Sequence, residues 1–139
     1  MKHIVSVSLG SSTRDHRVET EFFGEKYLIE RIGMDGNYKK FIDTIKCLDG
    51  NVDAIGIGGI SIYLPVRNRI YTIRSALPLV KLVTKTPVAD GSHLRNTLEP
   101  YAVYAVNKKG IVDFHGKKVM ITCAVDRYAL SEAFVSLVP

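Results

Sequence analysis

The sequence predicts an α/β fold: three layers about a largely parallel central sheet, with antiparallel β structure on one flank. Three observations carry this. Short apolar strand-like runs alternate with segments of helical period, the signature of strand–helix–strand units. The first third is rich in β-formers and broken by turn residues rather than by a helix. The chain has 139 residues, 46% of them hydrophobic, which suits one ordinary domain with its own core. Residues 1–139 are therefore read as a single α/β domain.

The elements follow in order. His3 to Leu9 carries Ile4, Val5, Val7 and Leu9 and ends at Gly10-Ser11-Ser12. His16 to Phe23 and Glu25 to Ile32 both read as strands, and Gly24 between them predicts a hairpin. Asn37 is placed to cap a helix in which Tyr38, Phe41, Ile42, Ile45 and Leu48 recur at helical spacing, and Gly50 stops it. Val52 to Ile57 is nearly continuous in apolar residues, as in strands buried on both faces. Ile60 to Leu64 and Ile70 to Arg74 alternate on either side of the turn at Pro65 to Arg69, which predicts a β-ribbon. Ser75 to Lys85 reads as a helix that tolerates Pro78 in its first turn. Pro87-Val88-Ala89 is a short strand, and His93 to Asn107 is a helix that Pro100 is expected to kink or restart. Lys118 to Val125 reads as a last strong strand and Arg127 to Leu137 as a last helix.

Composition excludes several classes. No run approaches the ~18 apolar residues of a membrane span. The opening Met1-Lys2-His3-Ile4-Val5 has none of the features of a secretory signal, so a cytoplasmic protein is expected. Cys47 and Cys123 stand alone in apolar settings and read as buried reduced thiols. No spacing of His, Cys, Asp and Glu suggests a metal site. The formal charge of +5 is scattered and not interleaved with aromatics, so it carries no specific nucleic-acid signal and fits a small anionic ligand better.

Ligands of open parallel sheets bind beyond the carboxyl ends of the strands. Four predicted strands end in residues suited to that role: Gly10, Ser11 and Ser12; Gly56, Gly58, Gly59 and Ser61; Asp90 and Ser92; Asp126 and Arg127. Backbone N–H groups and hydroxyls in small loops suit an anion, although Gly, Ser and Asp also populate turns for conformational reasons alone. Asp90 and Asp126 equally read as helix caps. His16 and His93 fall in predicted loops near the same edge.

Gly56-Ile57-Gly58-Gly59-Ile60-Ser61 resembles the Gly-x-Gly-Gly-x-Ser/Ala loop of quinate and shikimate dehydrogenases. Val5 to Ser12, Arg14 to Glu19, Thr86 to Gly91 and Ala124 to Arg127 are similar to stretches of bacterial proteins labelled quinate 5-dehydrogenase-like. The resemblance implies an oxidoreductase binding NADP or NAD, with Gly56, Gly58, Gly59 and Ser61 at the pyrophosphate and Arg74 at a 2′-phosphate. No catalytic residue carries over. The residues after the loop alternate and include Pro65, predicting a ribbon where a dinucleotide loop has a helix, and no Asp or Glu stands between Asp53 and Asp90.

Three readings stay open: the NAD(P) oxidoreductase, a non-catalytic module binding a small anionic ligand, nucleotide or partner, and a kinase-type domain. The element order is Rossmann-like or ribonuclease H-like, and in the latter Gly10-Ser11-Ser12 takes the place of a phosphate loop. The apolar end, Phe134 to Pro139, is expected to be covered by a homo-oligomer interface or by further chain, this segment then being the front of a longer protein.

Overall fold

The computed structural model describes residues 1–138. The chain divides into two compact units, Met1–Ile62 with Thr72–Gly91 and Tyr63–Tyr71 with Ser92–Pro139, where the sequence reads as one domain.

The first unit is built on a five-stranded sheet in the order β2-β3-β1-β4-β7. Its strands are β1 (Lys2–Ser8), β2 (His16–Phe22), β3 (Glu25–Gly33), β4 (Ala54–Gly58) and β7 (Val88–Ala89). β1 lies parallel to both β3 and β4, and β4 parallel to β7; only β2 runs antiparallel, against β3. The sheet is thus mixed and largely parallel, with an antiparallel flank. The first three strands form no meander, because β1 takes β3 as its neighbour. The β2–β3 hairpin turns at Phe23 and Gly24, both at positive φ (52° and 78°). This is the primed two-residue turn whose twist matches the flanking strands.

The register sorts residues onto two faces. Val5 and Val7 stand beside Ile55 and Ile57, and all four are buried. Helix α1 (Tyr38–Leu48) lays Phe41 and Ile45 on this face, and the short α2 (Leu77–Val80) adds Leu79 to the same core. Asn37 caps α1 as expected, its Oδ1 accepting from Lys40 N at 2.9 Å. Gly50 follows α1 at φ +84°, a conformation that side chains disfavour. The other face is Ser6 and Ser8 beside Gly56 and Gly58. Both helices of the unit contribute to one core.

Asp49 fixes the approach to β7. Its carboxylate accepts the N–H groups of Thr84, Lys85 and Thr86, each at 2.9 Å. These bonds favour the ionised form and hold its pKa at about 2. Thr86, itself buried, accepts from Gly50 N at 2.7 Å.

The second unit contains α3 (Ser92–Lys108), α4 (Tyr128–Leu137) and most of the ribbon β5 (Tyr63–Val66) and β6 (Arg69–Thr72). Pro100 interrupts neither half of α3: the helix loses one hydrogen bond and runs through. Phe114 meets Phe134 edge-on at 5.2 Å, and Arg67 Nε donates to the Tyr128 hydroxyl at 3.0 Å. Lys118 to Val125 is not a strand but loop and turn. The ribbon stays two-stranded, and this β-prone segment does not join it. Other expectations are corrected too. Cys47 and Cys123 are free thiols but exposed, not buried. His16 lies in β2 and His93 in α3, not in loops, and the helix expected over Ser75 to Lys85 is only the four residues of α2. Among the described residues, no helix is long and apolar enough to cross a membrane, and no group of three or more His, Cys, Asp or Glu could hold a metal.

Candidate functional site

Because β1, β3, β4 and β7 are parallel, their carboxyl ends share one edge of the first unit. Gly10, Ser11 and Ser12 follow β1, Gly58, Gly59 and Ser61 end or follow β4, and Asp90 follows β7. These are three of the four anticipated strand ends. The end of β3, Gly33 to Asp35, joins them. Met34 N donates to Ser8 O, Asp35 N to Gly10 O and Gly36 N to Leu9 O, at 2.8, 3.1 and 2.8 Å. Leu9 N donates to Gly58 O at 3.2 Å, tying in the β4 end.

The loop after β1 does not present its N–H groups as an anion nest. Gly10 N donates to Ser8 Oγ, Thr13 N to Ser11 Oγ and Ser12 N to Asp35 Oδ1. The Ser12 N–H, with the Ser12 and Ser11 hydroxyls, holds the Asp35 carboxyl below its ordinary range, so it stays ionised as a brace for the loop.

The cationic groups are two arginines the sequence reading did not single out. A Cβ built on Gly10 would meet Arg14 Nη2 at 2.6 Å, Arg31 Nη2 at 3.3 Å and Ser8 Oγ at 3.3 Å. Two guanidinium groups therefore reach the same point above the end of β1, beside a serine hydroxyl. Arg31 projects from β3 and is held on its other side. Its Nη1 donates to Ser11 O at 3.0 Å and to Asp15 Oδ1 at 2.9 Å, and the same Asp15 oxygen accepts from Gly33 N at 2.6 Å. Arg14, in the short 3-10 turn Ser12–Arg14, has no carboxylate within 4 Å among the described residues. Two adjacent guanidinium forks with one carboxylate between them leave a positive charge unneutralised, the chemistry that recognises carboxylate and phosphate.

The space is limited by close neighbours, main chain at Gly33 and the Ser8 side chain at Gly58. A Cβ at Gly33 would lie 2.5 Å from Ser11 O, and one at Gly58 would lie 2.8 Å from Ser8 Cβ. Gly33 and Gly58 thus permit the two loops and strands to close on one another.

The remaining predicted residues fall elsewhere. Gly56 and Gly58 are strand residues whose side-chain space is taken by Ser6 and Ser8. β5 begins at Tyr63, so no helix N-terminus follows the glycines. The pyrophosphate of NADP or NAD needs that terminus, and the Gly56 to Ser61 segment does not fit it. Arg74 is exposed between β6 and α2. Asp90 Oδ2 accepts from Ile62 N at 2.6 Å. Ser92, Asp126 and Arg127 belong to the second unit. There Arg95 Nη1 meets both Asp126 oxygens at 2.6 Å, while Arg127 bonds Glu99 and is held protonated above its ordinary pKa by it. Asp126 and Arg127 therefore tie the start of α4 to α3 and lie at no strand end.

A family model described as domain of unknown function (DUF8753) matches residues 3–90. The chain belongs to this family. A second model, domain of unknown function (DUF8754), matches residues 93–138. The boundary between the two matches falls where the first unit ends, at Gly91. The arginine cluster and every strand of the five-stranded sheet lie within the DUF8753 match apart from the first residue of β1. No curated protein matches the chain.

Proposed function

We propose that the first unit binds a small anionic ligand, through a phosphate or carboxylate group, at the carboxyl end of β1. The convergence of Arg14 and Arg31 on Gly10, with only Arg31 matched by a carboxylate, is the observation that carries this reading. A single anion placed there takes charge-assisted bonds from both guanidinium groups and from a hydroxyl, each bond of a kind stronger than a neutral pair. Asp15 positions Arg31, and Asp35 shapes the loop that carries Arg14. The reading is one of binding, and a nucleotide enters it through its phosphates alone. The NAD(P) oxidoreductase rests on the resemblance of the Gly56 to Ser61 loop and lacks the helix that such a loop serves.

The experiment is a thermal-shift and calorimetric titration with inorganic phosphate, pyrophosphate, citrate, NAD⁺ and NADP⁺. Stabilisation by an anion in the native chain, lost in Arg14→Ala and in Arg31→Ala, is expected. The reading fails if no anion stabilises the chain at millimolar concentration, or if both variants retain the full shift.

A further inference from the structure

β2 is an edge strand of seven residues, His16–Phe22, with no proline or glycine in it and only Thr20 not exposed. Natural edges are shortened, bulged, charged or covered, because an open edge is a template for another strand, and of these devices β2 has only charge. The ladder of β2 against β3 closes at Phe22 and Glu25 across a two-residue turn. In such a hairpin the closing pair is hydrogen-bonded, and the alternation then turns the N–H and C=O groups of Arg17, Glu19 and Glu21 outward. These outward positions carry alternating charge: Arg17 is positive, Glu19 and Glu21 negative.

We infer that β2 pairs antiparallel with β2 of a second copy of this chain, about a two-fold axis at Val18, so that Arg17 of each copy stands opposite Glu19 of the other. The ladder's alternation restricts the choice of register. Centring on Arg17 sets Arg17 against itself, centring on Glu19 sets Glu19 against itself, and centring on Thr20 sets Glu19 against Glu21. Centring on Val18 sets opposite charges across both Arg17–Glu19 pairs, and Glu21 of each copy then stands opposite Asp15 of the other, just beyond the strand. Each Arg17–Glu19 pair is then a hydrogen-bonded one, exchanging two main-chain bonds. Val18, 40% exposed in the single chain, meets its symmetry mate at a non-hydrogen-bonded position, where side chains approach most closely. Asp15 is engaged by Arg31 and Gly33 of its own copy, and the Arg31 charge offsets its repulsion from Glu21 of the other. Glu30, which accepts from His3 and lies 3.3 Å from Arg17 Nε, gives Arg17 a second carboxylate on its own sheet. The occupant is a second copy because Arg17 and Glu19 make the middle of the edge charge-complementary to itself about Val18.

Register is read by disulfide trapping in the full chain with Cys47→Ser and Cys123→Ser. Val18→Cys is expected to cross-link under mild oxidation to a species of twice the mass. Thr20→Cys is not, since its mates stand four residues apart along the ladder, ~13 Å. Sedimentation velocity of the unmodified chain at ~100 μM is expected to show a dimer, and Glu19→Arg, checked for folding by circular dichroism, to lower its association constant roughly tenfold. A monomer at that concentration overturns the proposal and leaves the edge to water or to a strand of another protein. A dimer in which Thr20→Cys cross-links as readily as Val18→Cys overturns the register, and with it the charge argument.

Discussion

Gly10 and Gly33 lie in the same small region, yet an added methyl meets different obstacles at each. At Gly33 the new Cβ would stand 2.5 Å from Ser11 O and 2.6 Å from Ser11 C and Ser12 N, all main-chain atoms. These cannot move without opening the loop that carries Arg14, so Gly33→Ala is an overpacking change of about 1–3 kcal/mol. At Gly10 the nearest atom, at 2.6 Å, is the tip of Arg14. A long exposed side chain swings aside at little cost, and Gly10→Ala should stay within ~0.5 kcal/mol of the native chain. The displaced guanidinium, however, no longer shares a point with Arg31. Loss of one charge-assisted hydrogen bond, about 1.5–3 kcal/mol, weakens anion affinity about ten- to hundredfold. Urea unfolding followed by circular dichroism measures the first quantity, and calorimetric titration with pyrophosphate the second. Gly33→Ala should lose stability; Gly10→Ala should lose affinity alone. Equal destabilisation by both, or undiminished affinity in Gly10→Ala, would refute the packing argument.

Three further outcomes follow from the same geometry. Asp49 has a folded pKa of about 2 against an ordinary 3.8; its stabilisation is complete above the higher value and lost as the pH falls from there towards the lower. Thermal midpoints measured from pH 6 to pH 2 should therefore fall more steeply in the native chain than in Asp49→Asn. Phe41, wholly buried against the sheet, should cost about 3–5 kcal/mol as Phe41→Ala, read as a lowered urea midpoint. Asn37→Ala removes the cap of α1 and should cost ~1 kcal/mol in the same assay.

Much of the first unit was legible because its signals are local. The spacing of Phe41, Ile42, Ile45 and Leu48 reports one face of a helix, and Asn37 and Gly50 mark its ends. Gly24 between two alternating runs announces the hairpin, and Pro65 with the alternation around it announces the ribbon. The arginine cluster carried no such signal. Arg14 and Arg31 stand far apart in sequence, with a strand of opposite direction between them. They meet because β3 pairs with β1 in parallel, setting Gly33 beside Ser8. A strand pairing of this kind cannot be read from hydropathy. The loop hydroxyls and N–H groups were legible as polar and turn-forming, but not their consumption by Asp35 and by Ser11 itself. Lys118 to Val125 marks the opposite failure: a strong strand pattern that forms no strand.

By itself, then, the sequence determined the α/β class, the strands and the long helix of the first unit, three of the strand ends that gather at one edge and the absence of any apolar run long enough to span a membrane. These follow from periodicity and from turn chemistry, which act over a few residues. The tertiary structure decided that the chain packs as two units and that Lys118 to Val125 forms no strand. It also decided that Asp126 and Arg127 pair with Arg95 and Glu99, and that two arginines close on Gly10. Each of these depends on which strand lies beside which. That choice is made by burial and hydrogen bonding over the whole unit, and no short stretch of residues encodes it alone.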